Sequence, residues 1–232
     1  MDKAEKLTAE QMQALLEEAD AFWLYSGKPR KDQPHALLTS GKHSDGYVNV
    51  GQVMKEKPIV RGIFAMGILG ALYKEWNGEF NWVVGADTSS TDLAKDVANL
   101  AGVGHITMLK IEGGEDKRQV WVAKNTPLQD GETILHIEEL VTTSLSALQV
   151  RQGIRLANPG LRLHFVPFLP VVVERSDPEN RVVLVEDSKI LPLLQLCIRT
   201  YEHNPADCPY CAVGSPAIKP KANNNWLKLT GK

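Results

Sequence analysis

Residues 132–150 read ETILHIEELVTTSLSALQV, and this stretch decides how the rest of the chain is read. Ile134, Leu135 and Ile137 form a mostly apolar run that leads into two adjacent acids, Glu138 and Glu139. Leu140 and Val141 follow, then the short hydroxylated residues Thr142, Thr143, Ser144 and Ser146, and then a segment with helical character from Ala147 onward. The order is buried strand, acidic pair, hydroxyl-rich turn, helix start. Free backbone N–H groups at a helix N-terminus and small hydroxyl donors converge on one anion, so the turn suits a phosphorylated sugar. The two carboxylates beside it can accept hydrogen bonds from sugar hydroxyls and help to place a hydrated Mg²⁺.

Ile134 to Ser146 resembles the signature of the type I phosphoribosyltransferases: four apolar residues, two acids, two apolar residues, then Thr-Thr/Ser-Gly-x-Ser/Thr. Two positions depart from it, since His136 interrupts the apolar run and Ser144 stands where the family has Gly. The resemblance implies an α/β fold with a mostly parallel central sheet flanked by helices, an N-terminal hood and a C-terminal extension. It also implies that Glu138, Glu139, Thr142, Thr143, Ser144 and Ser146 bind phosphoribosyl diphosphate.

Length and composition agree with one such domain. At 232 residues the chain can bury a substantial core. A formal charge of −2 gives no bulk attraction to nucleic acid or an anionic membrane. No apolar run has the length of a membrane span, and MDKAEKLTAEQ has no signal-peptide core. Three cysteines argue against a disulfide framework, so a cytoplasmic protein is expected. The expected organisation is a helix and hood over 1–54, a core over 55–190 and an extension over 191–232, all in one structural domain.

Thr8 to Gln11 reads as a capping box, opening a helix whose apolar face takes in Met12, Leu15, Leu16, Ala19, Phe22 and Trp23. Lys55 to Trp76 reads as one long amphipathic helix. Phe80 to Gly85 reads as a short buried strand, followed by a polar turn and a helix from about Asp92 to Leu100. This is a second strand–turn–helix unit, of the kind that builds ligand sites at sheet edges. By the resemblance its turn binds diphosphate, through Asp87, Thr88 and Ser89. The charged, glycine-containing stretch from Ile111 to Gln119 follows a strand and corresponds to the family's mobile catalytic loop. Lys110 and Lys117 are then the catalytic cations, with Arg118 beside them.

The stretch HALLTSGKHSDGYVNVG, residues 35–51, is similar to the hood hairpin of one subfamily, the orotate phosphoribosyltransferases. Ser40, Gly41, Ser44, Tyr47 and Asn49 fall in register with its Ser-Gly-x-x-Ser, aromatic and Asn positions. Thr39 replaces a lysine and Val48 an aromatic residue. Glu174-Arg175 follows three valines, where the subfamily has an acid–Arg pair whose arginine meets the carboxylate of orotate. A guanidinium binds a carboxylate through two parallel hydrogen bonds. The implied base contacts are Ser40, Tyr47, Thr142 and Arg175.

What the resemblance implies is transfer of a phosphoribosyl group from phosphoribosyl diphosphate to N1 of orotate by a homodimer, with Mg²⁺ carried on the diphosphate. Two alternatives stay open: a different base, or a regulator that binds phosphoribosyl diphosphate without turnover. Cys208 and Cys211 have zinc-knuckle spacing, with Cys197 and His203 the nearest further ligands. The favoured reading there is a proline-bent, ordered tail, with no metal held directly by the protein.

Overall fold

The computed structural model describes residues 8–113, 118–124, 127–179 and 181–231. Thr8 caps helix α1 (Ala9–Glu18) reciprocally, its Oγ1 accepting from Gln11 N while Gln11 Oε1 accepts from Thr8 N. The helix stops earlier than its apolar spacing suggests. Asp20 turns into the left-handed region at φ 52°, and Phe22 and Trp23 open strand β1 (Phe22–Leu24) instead of extending the helical face. The hood supplies β2 (His35–Leu37), β3 (His43–Ser44) and β4 (Gly46–Val48).

The single helix expected across Lys55–Trp76 is in fact two, α2 (Val50–Glu56) and α3 (Pro58–Glu75). Pro58 has no N–H for the helical ladder and pushes Lys57 out of helical geometry, to φ −124° and ψ 72°. α3 buries Phe64, Ala65, Ile68 and Leu72 yet exposes Ile59, Met66 and Tyr73, so it is apolar on two faces rather than one.

Strands and helices then alternate: β5 (Trp82–Val84), α4 (Thr91–Ala101), β6 (Gly104–Gly113), β7 (Arg118–Lys124), β8 (Thr133–His136), β9 (Glu138–Val141), α5 (Leu145–Ala157), β10 (His164–Phe165), β11 (Phe168–Glu174), β12 (Leu184–Val185) and β13 (Ser188–Gln195). The extension adds β14 (Thr200–Tyr201), α6 (Pro209–Ala212), β15 (Ala217–Ile218) and α7 (Asn225–Thr230). The flanks of the expected catalytic loop pair as an antiparallel ribbon with Gly113 opposite Arg118. Lys117 lies outside the described residues.

The main sheet runs β10-β8-β5-β6-β7, parallel throughout except for β6 against β7. A second sheet, β12-β13-β11-β9, is parallel except at β12. The chain crosses from the first sheet to the second at Ile137, between β8 and β9. Leu169 and the valines 171–173 of β11 are all buried, the pattern of a strand covered on both faces. In the main sheet the chain moves from β5 outward to β6 and β7, then returns to β8 on the other side of β5. The carboxyl ends of β5 and β8 therefore face a crevice at a topological switch point. Among the described residues no helix is long and apolar enough to cross a membrane.

Candidate active site

Two loops meet at that crevice, one leaving β5 and one following β8. The first turns tightly because Gly85 has no side chain: a Cβ there would lie 2.6 Å from Ser90 Cβ and 2.7 Å from Ser90 O. That closeness buries Ser90 against the acidic pair. Its Oγ lies 3.0 Å from Glu138 Oε2, touches Glu139 Oε2, and accepts a hydrogen bond of 3.1 Å from Glu139 N.

A serine hydroxyl has one proton to donate. Ser90 meets two carboxyl groups, so a proton on one of them would let that group donate back. The electrostatics agree. Burial pushes Glu138 up to about 8, and burial together with the neighbouring Glu138 charge pushes Glu139 up to about 7. The crevice thus holds an acid pair that shares a proton near neutral pH.

Behind the pair, His136 faces Glu138 Oε1 across 2.9 Å through Nε2, and its Nδ1 accepts from Arg151 Nε at 3.3 Å. That partner on Nδ1 leaves the imidazole proton on Nε2, where it donates to Glu138. Burial holds His136 well below the usual histidine range, which keeps it neutral. Arg151 is buried on α5 and also donates to Val185 O, Glu186 and Ser188. The histidine that breaks the apolar run of the motif is therefore a spacer that aims Glu138. The polar residue two places before Glu138 was the visible signal; Arg151, amid the apolar face of α5, gave none.

The hydroxyl-rich turn sits where the sequence puts it. Glu138 and Thr142, Thr143, Ser144 and Ser146 line a small cleft at the start of α5. Ser144 occupies the left-handed region, φ 61° and ψ −1°, as the N-cap of that helix. This explains why glycine is the residue that would fit there without cost.

A larger cleft of 930 Å³ is lined by Asp87, Thr88 and Ser89 of the β5 loop, Tyr47 and Asn49 of the hood, and Lys55 of α2. Pro220, Lys221, Asn224 and Trp226 of the extension close it, none of which the sequence reading placed in the site. The buried Thr91 Oγ1 and Trp226 Nε1 on its wall have no hydrogen-bond partner among the described residues. Asp87 is fixed by Lys110 N, which donates to its Oδ2 at 2.9 Å.

Arg175 lies near this wall, close enough to the Asp45 carboxylate and the Tyr47 hydroxyl for an electrostatic interaction with each. Its Nε and Nη1 are buried and without a hydrogen-bond partner among the described residues. Neither Arg175 nor Lys110 lines the larger cleft itself. Ser40 stands on the exposed hairpin turn, accepting from Lys42 N at 3.4 Å, and is not brought into the cleft.

No family model matches the chain. Among curated proteins it is 28% identical over 205 residues to the orotate phosphoribosyltransferase of Thermoanaerobacter sp., covering 88% of this chain and 97% of the relative. It is 30% identical over 187 residues to that of Heliobacterium modesticaldum, covering 80% and 88%. Among solved structures, the orotate phosphoribosyltransferase of Aeropyrum pernix superposes with a TM-score of 0.55 at 14% identity, over 80% of this chain and 93% of that one. The Mycobacterium tuberculosis enzyme gives 0.54 at 17% identity, over 81% and 95%. The solved structures carry the fold and the curated relatives carry the family: this chain is a type I phosphoribosyltransferase and belongs to the orotate phosphoribosyltransferase family.

Proposed function

We propose that the chain transfers the phosphoribosyl group of phosphoribosyl diphosphate to N1 of orotate, releasing diphosphate and orotidine 5′-monophosphate. The observation that carries the choice of base is Arg175. Its Nε and Nη1 have no partner among the described residues; a buried polar nitrogen without a partner costs free energy, and an orotate carboxylate accepting from either nitrogen relieves that cost. Tyr47 and Thr142 complete the base contacts in this reading, and Ser40 joins only if the hood turn moves inward.

The rest of the site is assigned by charge development. As diphosphate leaves, the anomeric carbon becomes oxocarbenium-like, and catalysis amounts to placement and electrostatics. Glu138 and Glu139 hold the ribose hydroxyls and favour the growing positive charge, while Thr142 to Ser146 anchor the 5-phosphate. Asp87, Thr88 and Ser89 receive the diphosphate, with Lys110 and Lys117 as its cations. The hard oxygen donors Asp87, Glu138 and Glu139 fit a Mg²⁺ bound through water, whose chemistry when present is neutralisation of diphosphate charge.

Two further expectations belong to the same reading. Ile59, Met66 and Tyr73, exposed at seven-residue spacing on α3, support a homodimer, which analytical ultracentrifugation tests. A cytoplasmic setting accords with three cysteines that form no disulfide.

The deciding assay is ultraviolet-monitored orotate consumption with phosphoribosyl diphosphate and Mg²⁺. Truncating one partner of a buried charge pair costs about 2–5 kcal/mol. Arg175→Ala should accordingly lower kcat/KM for orotate by about 100-fold, with most of the change in KM. Equal turnover in the variant would remove Arg175 from the base site. A wild-type protein that is stabilised by phosphoribosyl diphosphate but leaves orotate untouched would refute the choice of base.

A further inference from the structure

We infer that the chain carries a structural zinc site made by His35 and His43 of the hood with Cys208 and Cys211 of the extension. The sequence pointed to the Cys208–Cys211 pair but to the wrong partners: Cys197 is exposed and outside the cluster. The fold supplies two histidines from about 170 residues earlier instead.

The four ligand atoms all lie within 4.8 Å of one another. His35 Nε2 is 2.8 Å from His43 Nδ1, and Cys211 Sγ is 3.2 Å from His43 Nδ1. Cys208 Sγ and Cys211 Sγ are 3.8 Å and 3.9 Å from His35 Nε2. Zinc bonds of about 2.0–2.1 Å to nitrogen and about 2.3 Å to sulfur give tetrahedral edges of roughly 3.3–3.8 Å, so one ion fits once the shortest edge opens by about half an ångström and the widest closes by up to about one. Three of the four residues are buried and Cys211 is partly so, as a closed structural site requires.

The surroundings are built to turn the near nitrogens inward. His35 Nδ1 is 2.8 Å from Ser215 Oγ, and that hydroxyl spends its proton on Gln33 O at 2.6 Å. Ser215 therefore accepts from His35 Nδ1–H, leaving a lone pair on Nε2. On the far side of His43, Nε2 meets His203 Nδ1 at 2.9 Å, which can hold His43 in the complementary tautomer. Outer partners on the distal nitrogen are what metal-bound histidines use to fix tautomer and ring orientation. His203 is thus an outer partner rather than a ligand.

A metal-free arrangement exists, in which the rings pass hydrogen bonds from His203 through His43 and His35 to Ser215. It pairs both ring nitrogens of His35 and His43 and leaves the two converging thiols only the weak hydrogen bond between Cys211 and Cys208. A zinc ion takes both sulfurs as thiolates and replaces that weak bond with two metal–sulfur bonds. Its structural effect would be to staple the β2–β3 hairpin to the start of α6.

The full-length chain, expressed with zinc and assayed by plasma mass spectrometry after exhaustive dialysis, should hold one zinc per chain. Replacement by Co²⁺ should give thiolate charge-transfer and tetrahedral d–d absorption, a readout that needs no variant. With zinc bound, a thiol reagent should titrate one cysteine, Cys197, and chelation should raise this to three. Cys208→Ser and His43→Asn should each reduce zinc content at least tenfold, whereas Cys197→Ser should leave it at one. Zinc below one-tenth per chain, a tetrahedral cobalt spectrum that is absent, or a Cys208–Cys211 disulfide in the freshly purified protein would each overturn the site.

Discussion

Ser90 offers the sharpest test of the acid pair, because one hydroxyl serves both carboxyl groups. Its contacts with Glu138 and Glu139 act against burial and keep the pair from rising further than about 8 and about 7. A hydrogen bond to a charged group contributes about 1.5–3 kcal/mol, and about 1.4 kcal/mol moves a pKa by one unit. Ser90→Ala should therefore move the pair upward by about one to two units. In the proposed mechanism the ionised pair supports the cationic transition state, so kcat/KM for phosphoribosyl diphosphate should climb through pH 7 to 8 in the wild type. In the variant the same limb should appear at least about one unit higher. The profile is measured from pH 6 to 10 at constant ionic strength, with circular dichroism checking the fold. An unmoved limb, or one displaced toward acid in a folded variant, would refute the shared-proton reasoning. Stability has the opposite slope. Unfolded glutamates release protons near 4.5, while the native pair keeps them to about 7 and 8. The native state thus binds more protons between those limits, and this pair makes unfolding easier as pH rises from about 4.5 to 8. His136, depressed by burial, acts in the other sense and erodes stability below the ordinary histidine value.

Substitutions at three other positions probe the same framework. Gly85→Ala places a Cβ 2.6 Å from Ser90 Cβ, costs about 1–3 kcal/mol by overpacking, and should lower kcat/KM beyond what its urea midpoint accounts for. Ser144→Gly should keep or raise the melting temperature, whereas Ser144→Val, β-branched at φ 61°, should lose about 1–2 kcal/mol, or a few degrees by calorimetry. Arg151→Met leaves Val185 O, Ser188 Oγ and His136 Nδ1 without their buried donor while Glu186 keeps Arg155, and urea unfolding should show a loss of about 1–3 kcal/mol.

The location of the site was legible because its chemistry is local. A strand end, two acids, four hydroxyls and a helix start lie within thirteen residues, and such a segment carries its own geometry. Element type was legible for the same reason in β5 and α4, each close to its expected range. The errors fell where a single residue outweighed periodicity: Asp20 ended α1 before Phe22, and Pro58 split the helix that amphipathic spacing had joined. What could not be read was long-range pairing. His136 looked like a flaw in an apolar run until Arg151 was seen behind it, and Cys208 and Cys211 lacked ligands until β2 and β3 came alongside. Apolar patterning says that a strand is buried; it does not say which distant side chain stands opposite.

The sheet β14-β3-β2-β15 has a temporal consequence for the cell. His35 and Ser215, joined across it, are separated by 180 positions. A ribosome adding roughly 5–20 residues per second needs about 10–40 s to cover that distance. At the end of that interval the core residues up to Ile198 have been made, while β2 still lacks β15 along its edge and Tyr47 still lacks Trp226, so the cleft is unfinished. Translation itself thereby sets the moment at which the cleft is completed, and a chain stalled before Ala217 would lack the wall that Pro220, Lys221, Asn224 and Trp226 supply.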